Sequence, residues 1–321
     1  MAPPIDLDQP RWDQSQYWGR AKHFLVLTNP LNIFTSSAEL DKAKEVVMEY
    51  KRRQRMPQGY DEDKLWAAKY LYDSAFHPDT GEKMMLIGRM SAQAPMNTLI
   101  TGCMITFYKT TAATVFWQWI NQTFNAVVNY TNRSGKTKLT MTQLGTSYVC
   151  ACGGALATAL YLNSKVKRMK NPLYARLVPF AAVCGANFIN IPMMRSNEIM
   201  NGTPVFVPSS NEQAGESSRA ARYGIALVCV SRIIMASPGM ILTPWITNLV
   251  ARRGWFCQYP MAVIPFQLTL VGLCVTFATP LACAIFNQKA TYSVDGLEEP
   301  IKEFMKKRYP KEPYVYYNKG L

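Results

Sequence analysis

Acidic side chains are nearly missing from the middle of this 321-residue chain. Residues 90–288 hold three Asp or Glu against fifteen Lys or Arg, whereas residues 1–89 hold thirteen of each. An apolar middle with unbalanced positive charge argues against an ordinary soluble core and suits loops lying against anionic lipid. Charged residues are 17% of the whole, below the roughly one quarter usual for soluble domains. Histidine is equally scarce: His23 and His77 are the only two, and both precede the apolar middle. The eight cysteines form no CxxC pair, the nearest spacing being Cys150-Ala-Cys152. These absences exclude zinc-ribbon and histidine-ligated sites in the apolar part, so neither metal nor cofactor is expected. No basic stripe interleaves with aromatics, which excludes nucleic acid as a partner. The acidic start, Met1-Ala-Pro-Pro-Ile-Asp-Leu-Asp8, is neither a secretory leader nor an Arg-rich transit peptide, so any organellar address is internal.

What is present divides into three parts. Residues 1–89 read as a small soluble helical region. One helix starts at Ser36 or Ser37 with Glu39 in its first turn, runs toward Arg55, and stops at Pro57-Gln-Gly59. A second spans Asp61 to Phe76, with Leu65, Ala68, Leu71, Tyr72 and Ala75 on one face. In His77-Pro-Asp-Thr-Gly-Glu-Lys83, Asp79 and Glu82 have capping-box spacing that would open the next helix. His77 is either a structural residue of a proline turn or a ligand or proton acceptor.

Residues 90–288 read as a transmembrane bundle of about five helices, which makes the fold all-α and multi-span. A crossing needs about 20 mainly apolar residues. The first candidate, 99–120, carries Lys109 near its middle, either functional or snorkelling to a wet face. The second, 139–164, holds the close-packing pattern Gly153-Gly-Ala-Leu-Ala157. The third is 174–194. The fourth, 222–249, carries Arg232 and is interrupted at Pro238-Gly239 and Pro244; the fifth is 262–286. Residues 195–221 read as a polar loop and 289–321 as a soluble tail. Five crossings put the termini on opposite sides. The positive-inside rule places the basic loop 165–170 on the matrix or cytosolic side, with the N-terminal region beside it.

The candidate site is Asn187-Phe-Ile-Asn-Ile-Pro-Met-Met-Arg-Ser-Asn-Glu198. Asn187 and Asn190 share a helical face, and Pro192 kinks or ends the helix just before Arg195 and Glu198. Broken helices bind small polar substrates in transporters; the alternative is a plain helix end with two Asn holding helices together. In a carrier, Arg195 and Lys109 suit a carboxylate, while Glu198 and the Asn carbonyls suit an ammonium. No nucleophile or acid–base pair stands out, so no enzyme is expected.

A series of long motifs in order resembles the sideroflexins over essentially the whole chain. They include Pro10-Arg-Trp-Asp-Gln14, Tyr72 through Lys83, Gly88-Arg-Met-Ser91 and Phe116-Trp-Gln-Trp-Ile-Asn-Gln122. Asn129-Tyr-Thr-Asn-Arg133, Asn190-Ile-Pro-Met-Met-Arg195, Pro238-Gly-Met240 and Asn318-Lys-Gly-Leu321 continue the series. The resemblance implies a multi-pass protein of the mitochondrial inner membrane. It further implies a carrier of L-serine, or of similar small neutral amino acids, supplying one-carbon metabolism. The details near Ser91 and Leu99 look most like the serine-transporting branch. The alternative is a non-transporting assembly or structural protein that influences iron or haem metabolism. The lipid bilayer is the one sure partner, and the sequence sets no oligomeric state.

Overall fold

The computed structural model describes residues 5–77, 80–107, 109–132, 140–166 and 172–320. It is mainly helical. The N-terminal region contains α1 (Tyr17–Leu27), α2 (Ser37–Arg53) and α3 (Glu62–Ala75). The first turn of α2 is closed by a capping box: Glu39 N donates to Ser36 Oγ at 3.3 Å, and Ser36 N donates to Glu39 Oε2 at 2.9 Å. Asp61 caps α3. The apolar faces of α2 and α3 meet through Val46, Val47, Tyr50, Leu65 and Trp66, so the two predicted helices stand as read.

No helix opens at Glu82, and Asp79 lies outside the described residues. The segment instead folds back as a tight hairpin, with Phe76 bridged to Lys83. His77 N donates to Glu82 O at 2.8 Å, and Gly81 N donates to His77 O at 2.8 Å. Lys44 and Lys83 tie the hairpin to α2, through the Gly81 carbonyl and Asp41 respectively. The backbone of Glu82 is therefore spent within the hairpin, which is why it starts no helix.

The bundle comprises α4 (Gln93–Thr106), α5 (Thr111–Thr131), α6 (Met141–Val166) and α7 (Pro172–Met194). After the short α8 (Ser196–Asn201) come α9 (Ser218–Ser237) and α10 (Thr243–Arg252), joined without a break by a π-helical turn at Pro238–Leu242. A one-turn α11 (Trp255–Gln258) leads into α12 (Val263–Ile285). Among the described residues, four stretches are long and apolar enough to cross a bilayer: Met141–Leu162, Leu177–Met194, Ser218–Arg252 and Pro260–Ile285. The expected crossing at 99–120 is not one helix. It breaks at Phe107–Thr110, where Thr110 Oγ1 accepts from Ala113 N at 3.2 Å and restarts the chain as α5.

That break reverses the chain and moves the N-terminal region. Thr106, at the end of α4, donates to Gln267 Oε1 near the start of α12 at 2.9 Å. Asn132, just past α5, donates to Gly88 O at 2.8 Å. The chain thus traverses the bundle along α4 and returns along α5. Arg20 Nε donates to Ala284 O at 2.8 Å, with Ala21 and Phe24 packed on Ala284. The N-terminal region and the tail therefore sit at one end of the bundle, not at opposite ends as an odd number of crossings would require.

The tail is not loose. Strands β1 (Thr203–Phe206) and β2 (Gln213–Ser217) come from the stretch read as a polar loop. Strands β3 (Lys289–Ser293) and β4 (Tyr314–Asn318) flank α13 (Glu299–Arg308). Together they form an antiparallel sheet in the order β2-β1-β4-β3, with Phe206 opposite Tyr316. Alternate residues Val205, Val315 and Tyr317 turn inward onto Leu297, Ile301 and Met305.

The acidic residues of the apolar part gather at one end. Glu198, Glu212 and Glu216, the three acidic residues of the apolar part, are on α8 and at the strands of the sheet end. Lys109, Lys165, Arg252 and Arg253 lie at the far end. In sealed vesicles of one orientation, protease added to one face is expected to trim the N-terminal region and the tail together. Cleavage of the two from opposite faces would contradict this arrangement.

Candidate functional site

Helix α7 runs through both Pro179 and Pro192 and ends two residues after the second. Pro192 lies in the last turn, where the missing donor leaves a carbonyl one turn back without its helical partner. Arg195 N donates to Ile191 O at 3.1 Å, and α8 starts immediately, with Glu198 N donating to Arg195 O at 3.0 Å.

The Arg195 side chain is already engaged. Its Nε donates to Glu198 Oε1 at 2.9 Å, and its Nη2 binds the other carboxylate oxygen. Its Nη1 donates to Lys319 O at 2.6 Å. The planar guanidinium thus spends its fork on a neighbour three residues on and its remaining edge on the C-terminal strand's exit. Gly320, at φ +74°, adopts the left-handed conformation that lets the chain turn beside this guanidinium. Lys319 is 2% exposed. Burial, reinforced by the positive charges of Arg195, Arg232 and Arg20, holds its ammonium below the usual lysine range.

The other sequence candidates fall in different places. Asn190 is buried inside the bundle and Asn187 is half-buried on the same helix. Lys109 is exposed in the turn between α4 and α5, at the far end, so it does not join Arg195. His77 belongs to the N-terminal hairpin, where its Nδ1 accepts from Thr80 N at 3.3 Å. A cavity of about 120 Å³ is lined by His23, Trp66, Lys69 and Tyr70. Another of about 260 Å³ is lined by Arg20, Tyr223 and Asn287. Neither is lined by Asn187, Asn190, Arg195 or Glu198. Among the described residues, no group of three His, Cys, Asp or Glu is placed to hold a metal ion.

Sequence reasoning missed a set of buried uncharged polar side chains around α7. Thr114, Gln118, Asn121 and Gln122 of α5, Ser147 of α6, and Thr243 and Thr247 of α10 are all buried. All three helices pack against α7. Gln118 Nε2 donates to the carbonyl of Pro179 at 3.4 Å. Gln118 Oε1, Asn121 Nδ2, Ser147 Oγ, Thr243 Oγ1 and Thr247 Oγ1 find no partner. Each orphaned group of this kind costs about 1–3 kcal/mol. The signal was there in the spacing of Thr114, Gln118 and Asn121, which recur every three or four residues along one helical face.

Comparison with known proteins now places the chain. The family profile for sideroflexins matches residues 6–321. The chain belongs to the sideroflexin family. It is 54% identical over 321 residues to Sideroflexin-1 of Ovis aries, covering 100% of this chain and 99% of that protein. It is 53% identical over 321 residues to Sideroflexin-1 of Homo sapiens, with the same coverage. Against Sideroflexin-3 of Homo sapiens the identity is 50% over 317 residues, covering 99% and 98% of the two chains. No solved structure matches. Within this sideroflexin, Asn190-Ile-Pro-Met-Met-Arg195 joins two jobs: its first residue faces the bundle interior, and its last clamps the sheet end.

Arg195→Lys keeps the charge but loses the fork, so it is expected to cost about 1.5–3 kcal/mol, seen as a lower Tm. Substrate affinity per folded molecule should stay at the parent value. Weaker substrate binding with an unchanged Tm would instead return Arg195 to the substrate site.

Proposed function

We propose that this sideroflexin is a carrier of L-serine, and of similar small neutral amino acids, in the mitochondrial inner membrane, where it supplies one-carbon metabolism. The observation that carries the reading is the character of the fully buried polar side chains of the bundle, which are amides and hydroxyls set among helices apolar enough to cross a bilayer, with the half-buried Arg232 of α9 the cation nearest them. Polar side chains inside a membrane bundle are costly and mark solute pathways. An uncharged lining suits a solute whose own charges cancel, and it disfavours a tricarboxylate or a bare metal cation, which would enter uncompensated. Asn187 and Asn190 belong to this lining in the proposal. Arg195 and Glu198 support its end, and Lys109 meets the lipid headgroups beyond it. Family membership over residues 6–321 supports the same reading.

The test is uptake of labelled serine by liposomes that hold only the purified protein. Saturable uptake above that of empty liposomes is expected, with unlabelled serine competing and citrate not competing. Uptake equal to empty liposomes, with the protein shown to be folded, would overturn the carrier reading in favour of an assembly role.

A further inference from the structure

Helix α5 turns its amides inward and several of its aromatics outward, while Phe124 and Val128 pack into the bundle further along. Thr114, Gln118, Asn121 and Gln122 are 1–5% exposed, whereas Phe116, Trp119 and Tyr130 are 48%, 47% and 41% exposed. A helix on a soluble protein shows the reverse, with aromatics inward and amides in water. The inversion is stable only where the outer medium is apolar and the inner one holds partners for amides. The 21 residues of α5 extend roughly 31 Å at about 1.5 Å per residue, matching a hydrocarbon core of about 30 Å. No charged residue lies between Thr111 and Thr131. The helix is absent from the four apolar crossings because its polar face lowers its average hydropathy.

The inner face of α5 also carries unused hydrogen-bonding capacity. Gln118 is fixed in orientation by its Nε2 donating to Pro179 O, which leaves Oε1 as a free acceptor. Asn121, one turn on, leaves Nδ2 as a free donor. Both residues are at least nine-tenths buried. We infer that α5 crosses the bilayer with its aromatic face to lipid, and that Gln118 and Asn121 form a substrate-contact pair. Gln118 accepts from the ammonium or hydroxyl of a net-neutral amino acid and Asn121 donates to its carboxylate. The residues rest on the carrier reading above; the placement of α5 does not. The pair lies beside Pro179, where α7 cannot supply every backbone donor.

Two measurements test this. First, Gln118→Leu and Asn121→Leu in liposomes should each raise the KM for serine tenfold or more, at equal protein and with an unchanged Tm. Trp119→Leu on the opposite face should leave KM alone. Second, Gln118→Cys in a bilayer should react with a water-soluble, membrane-impermeant maleimide, read at that peptide by mass spectrometry, and serine should slow the reaction. Phe116→Cys should not react. If the parent transports serine, yet both Leu variants match it and Gln118→Cys stays unlabelled, the inference fails while the carrier reading stands. If the parent does not transport serine but Gln118→Cys is labelled and Phe116→Cys is not, the α5 path stands and the serine reading fails. If a Leu variant does not fold, the smaller Cys variant decides by its labelling.

Discussion

The architecture depends on one constraint: a polar group inside the bundle has no water to turn to. Backbone groups meet it by staying helical, even across Pro179, Pro192 and the π-helical turn at Pro238–Leu242. Side chains meet it by facing one another or a neighbouring carbonyl. Thr98 and Thr158 each return their hydroxyl to a carbonyl four residues back, the usual resort of a hydroxyl in an apolar helix. Gln118, Asn121, Thr243 and Thr247 do not complete this, and on the carrier reading their shortfall is what would separate a passage from a plain packing core.

The two ends of the bundle solve different problems. At the sheet end, Arg195, Glu198 and the carbonyl of Lys319 join α7, α8 and the exit of β4. Arg20 joins α1 to the end of α12. These contacts hold Arg195 and Arg20 with carbonyls and one carboxylate. At the far end, Lys109, Lys165, Arg252 and Arg253 face outward with no acidic residue of the apolar part beside them, which suits anionic lipid.

The sequence was most legible where the deciding contacts are local. Ser36 and Glu39 mark α2, and Asp61 marks α3, because a cap and its partner are three residues apart. The apolar crossings at α6, α7, α9–α10 and α12 were legible from length alone. The sheet was not: β1 contains Pro204, each strand is four or five residues long, and Phe206 meets Tyr316 across most of the last third of the chain. The break at Lys109 was hidden because an apolar window runs straight across it, although Thr110 was a readable cap. Missing that reversal also misplaced the N-terminal region. Of the candidate site, Asn190 was legible as a polar residue in an apolar run. The engagement of Arg195 by Lys319 was not, since it joins residues far apart in sequence.

The central claim is that this sideroflexin moves a net-neutral amino acid by exposing its uncharged polar interior to each side in turn. Counterflow tests it most directly: liposomes containing the protein are preloaded with unlabelled serine, and labelled serine is added outside. The account predicts faster initial entry into preloaded than into unloaded vesicles, with transient accumulation above the outside concentration of label. Equal entry in both, or entry that never exceeds equilibration, would contradict a carrier that alternates between its two faces.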